Sequence, residues 1–451
     1  MAGPSPDPVP GRGTVGLRAR LRDPRWQRVL TLAFTETISW GILYYAFSVL
    51  LVPMEEALGA GRAELSSAFS IAIVARALSA PAAGSWVDRR GVRSLMTAGS
   101  LAGVLLVLAW SSVTSVTQLT FVFAGIGVVT SAVLYEPAFA AVARWMRDQD
   151  RTTAILWITI AAGFASTIFL PITATLSEAL GWREALRWLA LVLLVGTAVP
   201  HALLLSEPST PVEPGPEPGS EPGGDRAAGA TSPAVAKPAS TAEGRAAAED
   251  AVRRSVPTAD ALRDGAFWWM TLAFLCGRAP MAAIAAHLPA LLVDRGEAAT
   301  FAALLTGAIG ALSVTGRVII TIATRWTTMP RLLGTVYLLQ GIGLVVMALV
   351  PTRLSALLFV VLFGIGFGAT TVAKPVMIAD RYGPRWYGAI AGAIAAFVTL
   401  AEAASPIAMG IGRDVSGDYV TIMLGLAVMI WIGAFATTRT PSGRAPVRAD
   451  G

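Results

Sequence analysis

The chain has 451 residues, 54% hydrophobic and only 14% charged, and its 35 Lys and Arg exceed its 29 Asp and Glu for a formal net charge of +6. Repeated apolar runs of about twenty residues, the length that crosses a hydrocarbon core, exclude an ordinary soluble domain and identify a polytopic membrane protein. The basic excess sits in short turns between those runs, where it orients the chain, so it does not point to nucleic acid.

Residues 1–25 carry Pro, Gly and Arg without an apolar core, unlike a cleaved signal peptide, so the first span is expected to be an uncleaved insertion signal. Hydropathy and turn signals place spans at 27–52, 64–85, 93–111, 117–145, 152–177 and 185–205. A second set follows at 265–292, 299–323, 331–350, 354–380, 386–409 and 418–437. The expected fold class is therefore all-α: twelve transmembrane helices in two pseudo-symmetric six-helix bundles. The segments are a disordered N-terminus (1–25), a first bundle (26–206), a linker (207–263), a second bundle (264–438) and a tail (439–451). The linker is rich in Pro, Ala, Gly and Glu and too poor in bulky apolar residues to offset its ordering entropy, so it reads as disordered, with a short interfacial helix within 245–263.

Basic residues mark alternate turns: Arg18 to Arg28 before the first span, Arg89, Arg90 and Arg93 after the second, and Arg144, Arg147 and Arg151 after the fourth. Arg325 and Arg331, Arg381 and Arg385, and Arg439 and Arg444 continue the pattern. The expected topology is multi-pass in the plasma membrane, with both termini and the linker cytoplasmic.

The turn after the second span reads Gly84-Ser85-Trp86-Val87-Asp88-Arg89-Arg90-Gly91-Val92-Arg93. Its Gly-x-x-x-Asp-Arg-x-Gly-x-Arg pattern resembles the loop between helices 2 and 3 of the major facilitator superfamily of secondary transporters. With the span count, the central linker and Gly181-Trp182-Arg183 before the sixth span, the resemblance covers nearly the whole chain. It implies that Gly84, Asp88, Arg89 and Gly91 belong to a latch between cytoplasmic helix ends that releases when the transporter changes state. A turn that merely orients the chain is the bland alternative. The halves also echo each other, Gly125-Ile126-Gly127 with Glu136-Pro137 against Gly364-Ile365-Gly366 with Lys374-Pro375, as expected of repeats that enclose a central site.

Seven charged side chains fall deep inside spans, away from their ends: Glu36, Arg76, Glu136, Arg278, Arg317, Lys374 and Glu402. Each is costly in lipid and so marks a cavity or a partner, and four basic against three acidic favours an anion. In the superfamily, spans 1, 4, 7 and 10 line the cavity, which the resemblance transfers to Glu36, Glu136, Arg278 and Lys374. Glu136 and Lys374 are expected to form a gating pair, or else to pair within their own halves, as Glu136 with Arg76. Arg278 can hold a substrate carboxylate through two parallel hydrogen bonds, unless it is a structural salt bridge to a Glu.

Arg317, together with Glu36, Trp40-Gly41 and Tyr44-Tyr45, is similar to the oxalate:formate antiporter and monocarboxylate transporter branch. The oxalate carriers add a lysine in span 11, where this chain has Glu402. Glu402 shares a polar stripe with Thr399 and Ser405, and is a candidate proton carrier or a permanently paired acid. Trp40 and Tyr44 lie on the face of Glu36 and could contact an apolar part of a substrate, or simply pack. His287 reads as structural, with proton sensing as the alternative.

These residues predict a secondary active transporter that moves a small organic anion, a monocarboxylate-like metabolite, by alternating access with proton coupling or exchange. The alternative is a drug or natural-product exporter, although Gln118-Leu119-Thr120-Phe121 and Pro171 depart from the drug-antiporter pattern. A minor alternative is a non-transporting membrane sensor, which would need a folded output module. Phosphate loops, nucleophile triads and metal-spaced clusters are missing from the sequence, and the sole cysteine is Cys276, so no enzymatic activity, cofactor or metal is expected. The expected partners are the solute, a proton or counter-solute and the lipid bilayer, around a monomer.

Overall fold

The computed structural model describes residues 23–146, 148–205, 255–383 and 386–441. Most of the expected linker, the N-terminal segment and the tail after residue 441 lie outside the described residues. Among the described residues, twelve helices are long and apolar enough to cross a membrane. They are α1 (Pro24–Leu58), α2 (Arg62–Val87), α3 (Val92–Trp110), α4 (Val116–Val142), α5 (Thr153–Leu180) and α6 (Trp182–Leu204). The second six are α7 (Gly265–Asp294), α8 (Ala299–Ala323), α9 (Met329–Leu349), α10 (Arg353–Tyr382), α11 (Ala389–Ser416) and α12 (Val420–Thr438).

Two helices depart from hydropathy-derived bounds for identifiable reasons. α1 continues through Pro53 to Leu58 and is capped by Gly59 in the left-handed region. α11 runs to Ser416 rather than 409, because its charged last turns find partners, Arg413 on Asp294 of α7 and Asp414 on the start of α2. The turn after α2 is closed by Gly91 at φ 79°, which donates its amide to the Val87 carbonyl at 3.0 Å.

Each set of six helices surrounds its own apolar core. One is built chiefly from Trp26 through Leu205, the other from Val256 through Ala434. A short helix, Thr258–Arg263, ties the chain entering α7 to the end of α10: the Val256 amide donates to the Tyr382 carbonyl at 2.9 Å, and Asp264 accepts from Arg381 at 2.9 Å.

The bundles meet along α2 with α11 and along α5 with α8. We call the end of the molecule where α1 starts proximal and the opposite end distal. α8 packs mainly on the distal half of α5, Ala165–Leu180, and α7 meets the distal part of α1, Ala46–Leu58. A small apolar cluster of Val49, Leu170, Ala174 and Ala303 joins the bundles there. The two halves are thus closed distally and less engaged proximally.

Candidate functional site

The space between the bundles is lined where helices are irregular. α1 contains a π-helical stretch, Gly41–Tyr45, an irregularity often found at functional positions. Gly41 is required there, because a Cβ would occupy the Phe169 ring. α4 is interrupted at Leu134 (φ −97°, ψ −160°), four residues after Thr130 and just before Glu136-Pro137. Pro137 has no amide for the Val133 carbonyl and its ring would collide with that group, so the helix breaks and restarts.

These two irregular stretches build an aromatic wall. Trp40 stands 5.2 Å from Tyr44 and 5.1 Å from Tyr135, Tyr44 lies 5.2 Å from Phe69, and Tyr135 stacks on Phe139 at 5.1 Å. The Arg76 guanidinium lies 5.7 Å over Trp40, a cation–π contact. Glu36, one turn before Trp40, is fully buried, and neither carboxyl oxygen has a hydrogen-bond partner among the described residues.

The opposite wall is charged. Arg278 Nε donates to Glu402 Oε1 at 2.6 Å, so the residue expected to bind a substrate carboxylate and the expected proton carrier lie against each other. Their side chains are 32% and 13% exposed, and the Arg278 guanidinium also lies 5.6 Å from the Phe367 ring. Lys374, half-buried, is within electrostatic reach of both. Arg317 Nη1 donates to the Thr159 carbonyl of α5 at 3.1 Å. Tyr44 is within electrostatic reach of Arg76, Arg278 and Glu402, and Tyr45 of Arg278 and Arg317, so the two walls face a common space.

The remaining expected residues fall as follows. Glu136 is exposed and within electrostatic reach of Glu36; no ion pair joins it to Lys374 or Arg76 among the described residues. Arg89 is exposed just beyond the proximal end of α2, Gly84 borders open space, and the side chain of Asp88 lies outside the described residues. Tyr135 and Phe69, which complete the aromatic wall, carried no signal beyond their type.

A second polar assembly closes the distal end. Arg62, at the start of α2, donates to Glu55 at 2.8 Å, to both oxygens of Asp294 at 2.6 and 2.8 Å, and to the Tyr419 hydroxyl at 2.7 Å. Arg413 donates to the same Asp294 at 2.9 Å. Burial pushes the Tyr419 phenol up to about 12, against the opposing pull of Arg62, so it keeps its proton and can donate it to His287 Nδ1 at 3.1 Å. His287 Nε2 then faces the Pro406 carbonyl at 3.0 Å and Ser66 Oγ at 2.9 Å. His287 is thereby placed in the distal closure rather than beside Arg278. Asp414 of α11 accepts from the Arg62 and Ala63 amides at 3.3 and 3.0 Å, and Glu178 of α5 accepts from the Thr300 amide at 3.0 Å.

The sequence matches the profile described as Major Facilitator Superfamily over residues 29–406. No curated protein matches the chain. Among solved structures, it is similar to a bacterial homolog of the human lysosomal transporter Spinster in an inward-facing, occupied conformation, at 13% identity and TM-score 0.69, covering 92% of this chain and 97% of that one. It is also similar to a D-xylose–proton symporter (13%, TM-score 0.68, 93% and 97% covered) and to the nucleoside transporter NupG (13%, TM-score 0.67, 93% and 100% covered).

Proposed function

The chain belongs to the major facilitator superfamily, and from that premise we propose that it is a secondary active transporter that moves a small organic anion by alternating access. One observation carries the anionic assignment. Arg76, Arg317 and Lys374 border the space between the bundles without an ion-pair partner among the described residues, while Glu402 is already engaged by Arg278. Uncompensated cations at membrane depth are costly, and an anionic solute supplies the missing charge. Arg278 keeps its terminal guanidinium nitrogens for that solute, and Trp40 and Tyr44 offer a surface for its apolar part.

The arginine-rich turns lie at the proximal end, which in this reading is cytoplasmic in the plasma membrane, so the conformation is inward-facing. Glu36 is the coupling carboxyl: an acid buried without a partner is stable there only when its charge is neutralised, and a proton does this. Glu136 and Lys374, flanking the break in α4 and Pro375 in α10, then move relative to one another as the proximal end closes.

The test is thermal stabilisation of the detergent-purified protein across carboxylates, neutral sugars and nucleosides, and apolar drugs, since a ligand of the folded state raises the melting temperature by mass action. The expected result is stabilisation by one class of carboxylate that falls at least tenfold in apparent affinity in Lys374→Gln or Arg317→Gln. Stabilisation by bulky apolar compounds alone, unchanged in both variants, would replace this reading with the exporter, which the aromatic wall also accommodates.

A further inference from the structure

Helices α2 and α8 occupy equivalent places in the two bundles, and both start on residues that offer no capping acceptor, Gly61 and Ala298. In each case the acceptor for the first helical amides comes from the other bundle, Glu64 of α2 itself taking only the Gly61 amide at 3.2 Å. Asp414, two residues short of the end of α11, takes the first amides of α2, and Glu178, two residues short of the end of α5, takes the Thr300 amide at the start of α8. Because α5 corresponds to α11 as α2 does to α8, the pseudo-twofold axis that exchanges the bundles carries one contact into the other. The first amides of a helix have no partner within it and sit at the positive end of its dipole, so a carboxylate is the ligand they hold best.

Close packing of the same two seams keeps these contacts in reach. A Cβ on Gly61 would lie 2.8 Å from an Asp414 oxygen, one on Gly410 would lie 2.7 Å from the Ala63 backbone, and one on Gly307 would lie 2.8 Å from the Ser166 carbonyl oxygen. At Gly410 and Gly307 the neighbour is backbone, so neither seam admits a side chain there without parting, whereas one at Gly61 would displace the Asp414 carboxylate.

We infer that Asp414 and Glu178 are paired, symmetry-related latches of the distal gate: each caps a helix of the opposite bundle, and both caps must break before the distal end opens. The inference rests on the alternating-access reading but not on the identity of the solute. It makes the gate a pair of helix caps supplied across the interface, with the Arg62–Asp294 bridge reinforcing only the α2 side.

The experiment measures the gate directly, by electron-spin distance measurement on full-length protein with Cys276 replaced by Ser. Labels at Glu56 and Val415, and at Ala179 and Ala298, report the distal end; labels at Leu204 and Trp326 report the proximal end, and all six positions are exposed. Losing a cap to Ala is expected to raise the distally open population about fivefold, and losing both roughly twenty-five-fold, while Asp414→Asn, which still caps, stays near wild type. Arg353→Gln, which removes an exposed pair with Glu297 inside one bundle, is expected to change nothing. Glu178 is exposed, so Glu178→Ala carries the test alone if Asp414→Ala does not fold. Wild-type distal distances in a folded Glu178→Ala or double variant would overturn the latches. Gly410→Leu, a wedge between α11 and α2, separates this from failure of the underlying reading: if it lengthens the distal distances without shortening the proximal one, alternating access itself is refuted.

Discussion

Glu36 and Glu402 are acids of similar setting that the structure treats differently, one without a partner and one bonded to Arg278 at 2.6 Å. Their Gln variants should therefore diverge. Glu36→Gln is expected to fold normally and to exchange solute across a vesicle membrane, yet to lose accumulation driven by a proton gradient; retained accumulation would remove Glu36 from coupling. Glu402→Gln leaves a half-buried guanidinium uncompensated and should lower the melting temperature, with Arg278→Gln in the same chain restoring most of it. The stripe Glu36, Trp40 and Tyr44 was legible in the sequence because spacings of four along one helix fix a shared face. The partnership of Arg278 with Glu402 was open between substrate binding and a salt bridge, since 124 residues separate them and no local rule connects helices that far apart.

At the scale of the helix, α4 shows how one residue sets a hinge. Pro137 removes an amide and its ring displaces the preceding turn, and the break exposes Glu136 beside the aromatic wall. Pro137→Ala restores an amide at that position and should raise the melting temperature while slowing turnover, measured by solute exchange in vesicles, because the straightened helix resists the bend that transport uses. A faster exchanger would show that the break is merely tolerated. Twelve helices and their approximate bounds were readable from hydropathy. The two extra turns of α11 were not, because hydropathy ends where charges begin, whereas the helix continues for as long as Arg413 has a partner in α7 and Asp414 has partners across the seam. The π-helical stretch of α1 was equally hidden, since the spacing of apolar residues does not tell an i→i+5 turn from an α-helical one.

For the molecule as a whole, two cores joined along two seams allow the bundles to rock as units. The division into two sets of six was visible in the sequence, but which end closes was not, because one sequence supports both arrangements and their balance depends on contacts between distant residues. With Cys276 replaced by Ser, Glu136→Cys, exposed toward the gap, should react with a water-soluble thiol reagent at least tenfold faster than Ser66→Cys, which is buried in the distal closure. Equal rates would mean that the closed end is not sealed. The caps made across the seams also bear on how motion could be followed without labels. Amide hydrogens of Arg62, Ala63 and Thr300 are covered by carboxylates of the opposite bundle here and uncovered when the distal end parts, so their exchange in heavy water becomes an intrinsic record of how often each seam opens.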